Sequence, residues 1–152
     1  MKNNNSMSFS FKIPQMFKNK ISINIECELL GIHYTIFNNT LELISRTIAN
    51  ESKEFQKELK PVTICFQEYD SLDENFKIDI ENSTIIYNMK AMKLMRSFDF
   101  IFYIFIEGLV CYYWKIPDTY EAKIKALNII KTLAESMEVS TLKKWGLIST
   151  EE

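Results

Sequence analysis

Residues 98–114 read FDFIFYIFIEGLVCYYW, the most apolar stretch of the chain, and the conformation of this run decides the fold. A membrane-spanning helix needs about 20 mostly apolar residues. This run is shorter, and it carries Asp99 near its start and Glu107 near its middle. A charge at the bilayer centre costs about 2.5–3.5 kcal/mol on insertion scales, so a buried core element is the expected reading. Two structures compete for it. As a helix the run would be apolar nearly all round and would pass through the centre of the domain. As a hairpin it would turn at Glu107-Gly108, between strands favoured by Phe, Tyr, Ile and Val. Glu-Gly is not among the preferred two-residue turns, and the pattern alone leaves both open.

The surroundings of this run are those of a globular chain. At 152 residues, 47% hydrophobic, with 11 Phe, 7 Tyr and 2 Trp, the sequence is long and apolar enough to bury a core, and it lacks the composition of disorder. A net charge of -2 provides no field for nucleic acid or anionic lipid. Three cysteines at unrelated spacings, Cys27, Cys65 and Cys111, each lie in an apolar run and read as small buried hydrophobes. Met1–Ser10 has no apolar leader core, so the expected compartment is reducing cytoplasm. Sixteen lysines against two arginines, with abundant Ile and Asn, indicate an AT-rich coding genome, that of a low-GC bacterium or its phage.

Working outward, residues 1–8 read as a loose tail and residues 9–150 as one α+β domain. Ser10–Ile13, Lys20–Cys27 and Ile32–Phe37 alternate apolar and polar, which predicts strands, the last two joined around Leu30-Gly31. Asn39 or Thr40 then caps a helix with Leu41, Ile44, Ile48, Phe55 and Leu59 on one face, ended by Pro61. Val62–Phe66 reads as a buried strand. Residues 68–81 are acidic, a solvated turn, and Phe76–Ile80 with Thr84–Asn88 form a hairpin. Met89, Met92 and Met95 read as core filler. Asp118 and Glu121 have capping-box spacing at the start of a helix through Met137, and Ser140 caps a last short helix ended by Gly146. The expected fold is a mixed sheet of about five strands packed against three to four helices.

The order of Thr84-Ile-Ile-Tyr-Asn88, an apolar helix, and Tyr120-Glu-Ala-Lys-Ile-Lys-Ala126 resembles the core of small zincin-type metallopeptidases, over residues 80–135. In that family a strand precedes a helix carrying H-E-x-x-H, and a later helix supplies a third ligand. The resemblance aligns that motif with Ile106-Glu107-Gly108-Leu109-Val110. It implies that Glu107 stands at the general-base position, that Ile106 and Val110 replace both histidines, and that Glu121 occupies the place of the third ligand. If it holds, residues 98–114 are helical. Zinc needs three or four N, S or O ligands, and isoleucine and valine cannot ligate. No metal and no cofactor is therefore expected, and Glu107 with Glu121 are read as a relic site. The bland reading of Glu107 is a capped helix turn or a buried ion pair with Lys90, Lys93, Arg96 or a lysine of the last helix.

The single histidine, His33, falls in the expected third strand as a half-exposed residue. The sequence has no phosphate-cradling glycine loop, no G-x-S-x-G and no C-x-x-C. What remains is a candidate binding surface: Lys90, Lys93 and Arg96, in steps of three on one helical face, with Tyr112 and Tyr113. The favoured expectation is a non-catalytic protein-binding domain, of the profile of small phage inhibitors of host defence such as anti-CRISPR proteins. A divergent zincin-type hydrolase and a nucleic-acid-binding protein are the alternatives.

Overall fold

In the computed structural model, which describes residues 9–71, 74–95 and 97–149, the chain is α+β with a four-stranded mixed sheet. The expected tail, residues 1–8, lies outside the described residues. Strands β1 (Ile21–Ile25), β2 (Val62–Gln67), β3 (Phe76–Asp79) and β4 (Thr84–Asn88) lie in the order β1-β2-β4-β3. β1, β2 and β4 are parallel, with Ile23 opposite Ile64 and Ile64 opposite Ile85. β3 runs antiparallel to β4 on the outside, with Ile78 opposite Ile85. The helices are α1 (Gly31–Ala49), α2 (Lys53–Lys57), α3 (Met89–Leu94), α4 (Phe98–Tyr113), α5 (Tyr120–Ile130) and α6 (Val139–Lys144).

The period-two alternation of the strands places Val62, Ile64, Phe66, Ile85 and Tyr87 on the face that the helices cover. Four rings close the core there, one each from α1, β2, β4 and α4. Phe37 meets Phe66 at 5.2 Å and Phe105 at 5.1 Å edge-on, and Tyr87 meets Phe105 at 5.0 Å. Such pairs add about 0.5–1.5 kcal/mol each beyond burial. The opposite face carries Ser22, Asn24, Thr63, Thr84, Gln67 and Lys77, all exposed or half-buried.

The 98–114 run is α4, a helix capped by Ser97 Oγ, which accepts from the Phe100 N–H at 3.2 Å. Glu107-Gly108 is mid-helix and not a turn. Among the described residues, no helix is long and apolar enough to cross a membrane. Gly108 is needed for packing: a Cβ there would stand 2.6 Å from Tyr87 Oη. Its absence lets β4 press against α4, and the Tyr87 hydroxyl donates to the Phe105 carbonyl at 2.6 Å.

Five expectations are corrected. Ile32–Phe37 is the first part of α1, so Asn39 and Thr40 lie inside that helix. The buried positions His33, Ile36, Phe37, Thr40, Leu41 and Ile44 form a helical stripe; the alternation seen in IHYTIF is a local coincidence that this longer period overrides. Ser10–Ile13 is not a strand: its Lys12 N–H donates to Asn38 Oδ1 at 2.7 Å, which fastens the segment to α1. These two losses, with the Phe76–Asp79 and Thr84–Asn88 hairpin kept, leave four strands where about five were expected. The helix thought to run to Leu59 breaks at residues 50–52, where Ser52 Oγ caps α2, and this break with α3 raises the helices to six. At the last two helices the caps shift: Thr119 precedes α5, because Asp118 turns its carboxylate to Lys123 at 2.6 Å, and Glu138 precedes α6.

His33 is likewise corrected, from a half-exposed strand residue to a buried one in the first turn of α1. Its Nδ1 accepts from the Leu30 N–H at 3.0 Å, taking up one of the free donors of the helix end. Burial, and then the nearby Lys93 charge, hold its imidazole below the usual range. The folded chain thus keeps a neutral ring where the unfolded chain protonates, near pH 6.5. The stabilisation is full above that pH and is lost as pH falls towards the depressed folded value. His33→Ala is expected to cost about 0.5–2 kcal/mol, as loss of a cap does, and to flatten this acid-side loss in thermal melts between pH 7.5 and 5.

Candidate functional site

Two places gather side chains that chemistry or binding would use. The first surrounds Glu107, only 1% exposed on the inner face of α4. Its Oε2 accepts from Lys123 Nζ at 2.7 Å, and the same ammonium reaches Asp118 Oδ1 at 2.6 Å. Tyr103 Oη donates to the Lys123 carbonyl at 3.3 Å. Burial, reinforced by Asp118 and opposed by Lys123, pushes the Glu107 carboxyl up to about 8. For Asp118 burial also works upward, but its interactions with Glu107 and Lys123 outweigh it and hold the group low. Lys123 is raised: its two carboxyl partners outweigh a burial effect of the opposite sign.

These directions have one physical reading. Two carboxylates and one ammonium would leave a net negative charge in a poorly hydrated place. The upward push on the Glu107 carboxyl favours its protonated form, in which Glu107, Asp118 and Lys123 together are neutral. It borders a polar cleft of about 380 Å³ whose other walls include Glu74, Asn75 and Leu147. Glu121, the other residue of the expected relic site, is exposed in the first turn of α5 and makes no salt bridge among the described residues. The lysine partner is the one on the following helix, Lys123.

The second place is a groove of about 860 Å³ lined by residues of β3, by the end of α2 with Leu59 and Lys60, and by the C-terminal end of α4 with the segment that follows it. Phe76, Ile78 and Ile80 line it together with Trp114, Ile116 and Pro117. Ile80 is 82% exposed. Trp114 is held in place by Phe55 at 5.3 Å, by Lys125 over its ring at 4.8 Å, and by its indole N–H donating to Glu51 at 3.3 Å. Lys60, Lys77 and Lys115 edge the groove and make no salt bridge among the described residues.

The expected binding surface is divided by the fold. Lys90 pairs with Asp70, and Lys93 with Glu68 at 2.6 Å, so the acidic turn neutralises the basic stripe. That turn is organised by Asn88, whose Nδ2 donates to the Ser71 and Glu74 carbonyls at 2.9 and 3.0 Å. Arg96 lies outside the described residues. Met89 and Met92 are fully buried, as core filler should be. Tyr112 lines the groove half-buried, and its hydroxyl donates to the Pro61 carbonyl at 2.7 Å. Tyr113 is corrected from a surface residue to a buried one, because the odd step of α4 turns it inward to stack on Phe17 at 5.4 Å. Its hydroxyl, at the groove wall, has no hydrogen-bond partner among the described residues.

The thiols are free, and burial raises each of them, Cys111 to about 12 with Glu107 adding to the effect. Among the described residues no group of three or more His, Cys, Asp or Glu side chains is placed to hold a metal ion. The sequence reading missed the groove altogether. Its one available signal was the apolar Ile80 beside a turn. No protein-family model, curated protein or solved structure matches this chain.

Proposed function

We propose that this chain is a non-catalytic protein-binding domain that takes a segment of another polypeptide along the open edge of β3. One observation carries the reading: an apolar groove with an 82% exposed isoleucine at its mouth lies beside a sheet edge that no described residue pairs. Exposed apolar patches joined to free strand edges are sites of protein association. The Glu107 cluster, in contrast, satisfies its own charges with protein groups. The wider role we propose is inhibition of a host defence system, in the manner of an anti-CRISPR protein. It is supported by the lysine, isoleucine and asparagine bias of the chain. The zincin resemblance enters this proposal as ancestry, with Glu107 at the general-base position and Ile106 and Val110 where ligands would be.

The test compares tagged wild type with Ile80→Asp as baits in bacterial lysate. A surface substitution of this kind changes stability by about 0.5 kcal/mol or less, so both baits fold. A stoichiometric partner held by the wild type and lost at least about tenfold by the variant is the expected result, the loss of a central apolar contact being worth more than about 1.4 kcal/mol. A partner retained equally by both moves binding away from the groove. No partner at all, together with no self-association, removes the reading.

A further inference from the structure

We infer that the segment seated on β3 is the β3 strand of a second copy of this chain, the two sheets joining about a two-fold axis at Ile78; this rests on the protein-binding reading of the same edge. The β3–β4 ladder fixes which way each peptide group points. The Asn88 N–H donates to the Asn75 carbonyl at 2.9 Å, and hydrogen-bonded pairs alternate along an antiparallel ladder. Asn75, Lys77 and Asp79 therefore direct their peptide groups to β4. Phe76 and Ile78 direct theirs to the open edge, where no backbone partner is present among the described residues. A free row of this kind is a template for a further strand.

An isologous antiparallel pair of two β3 strands pairs residue i with residue j so that the sum is constant, and the outward peptide groups must face each other. Three registers meet both conditions near the middle of the strand. Centring on Lys77 sets Lys77 against its own copy, and centring on Asp79 does the same for Asp79. Like charges directly opposite are unfavourable. Centring on Ile78 sets Lys77 opposite the partner's Asp79, twice by symmetry. It also sets Phe76 opposite the partner's Ile80 on the helix-covered face. The exposed Ile80 then meets the groove that Phe76 of the other copy lines. Charge, peptide polarity and apolar contact agree in one register.

The experiment uses the purified full chain and sedimentation velocity across the micromolar range. Wild type is expected to be a dimer. Lys77→Glu alone and Asp79→Lys alone each exchange two attractive pairs for two repulsive ones, which raises the dissociation constant by about tenfold or more. An equimolar mixture of the two variants restores opposite charges at both positions, and its dissociation constant returns to within about threefold of wild type. Asp79 also accepts from Asn82 in the turn, at 2.8 Å, so Asp79→Lys is checked by circular dichroism. If it fails to fold, amide exchange of wild type decides: Phe76 and Ile78 gain protection as concentration rises. A wild type that stays monomeric overturns the inference but leaves the protein-binding reading intact wherever Ile80→Asp loses a captured partner. A dimer indifferent to both charge variants and to their mixture places its contact elsewhere and overturns it too.

Discussion

Lys123→Met is expected to cost at most about 1.4 kcal/mol more at pH 9 than at pH 6, measured by urea unfolding. Removing one partner of a buried ion pair costs about 3–5 kcal/mol only when the remaining charge cannot escape. Glu107 can escape at pH 6, because burial holds its carboxyl near 8 and the group is already protonated. Without Lys123, which works to lower it, the folded value moves higher, and the added penalty appears only where wild-type Glu107 would ionise.

The wild type itself carries the same sign. A carboxyl whose folded pKa is raised contributes full stability below its unfolded value, near 4.5, and that stability is lost as pH rises through about 8. Each pKa unit between the two states is worth about 1.4 kcal/mol. Glu107→Gln keeps the shape and cannot ionise, so its stability should stay flat where the wild type declines between pH 6 and 9. His33 acts oppositely on the acid side, and the Glu107→Gln background displays that slope by itself. A wild type as stable at pH 9 as at pH 6 would place Glu107 in solvent contact and refute the raised carboxyl.

Gly108→Ala is expected to destabilise the fold by about 2–4 kcal/mol, although alanine is the better helix former by about 1 kcal/mol. The new Cβ would stand 2.6 Å from Tyr87 Oη and 2.8 Å from its Cε1. Tyr87 cannot yield easily. It is fully buried, its hydroxyl is bonded to the Phe105 carbonyl, and its ring rests on Phe66 and Phe105. Overpacking costs about 1–3 kcal/mol, and an orphaned buried hydroxyl or carbonyl adds about as much. Tyr87→Phe removes the oxygen that is struck first. The double variant Gly108→Ala, Tyr87→Phe should therefore be less destabilised than the sum of the two, by the coupling expected of residues in contact. Strict additivity would mean that α4 and β4 separate freely there.

The legible elements have a common property: their neighbours in sequence are also their neighbours in space. Val62–Phe66 announces a buried strand by its own composition, and Thr84–Asn88 pairs with the segment just before it. Ile32–Phe37 failed because six residues of alternation say less than the helical stripe running on to Ile48. For Glu107 the bland reading offered Lys90, Lys93, Arg96 or a lysine of the last helix, and the buried ion pair forms with Lys123 of α5. The relic-site reading chose Glu121 from the family pattern, but the two-residue step from Glu121 to Lys123 turns the helix from an exposed position to a half-buried one beside Glu107.

By itself, then, the sequence determined a globular α+β chain, its hairpin, its methionine core and a scarcity of catalytic groups, since composition and short-range periodicity are properties of residues and their near neighbours. Only the tertiary structure decided that residues 98–114 are helical and central. The reason is packing: a run apolar on all sides satisfies helix and strand alike, and the choice falls to what surrounds it. Here Gly108 admits Tyr87, Phe105 completes the four-ring core, and Lys123 gives Glu107 a partner that a hairpin turning at Glu107 would have left to water.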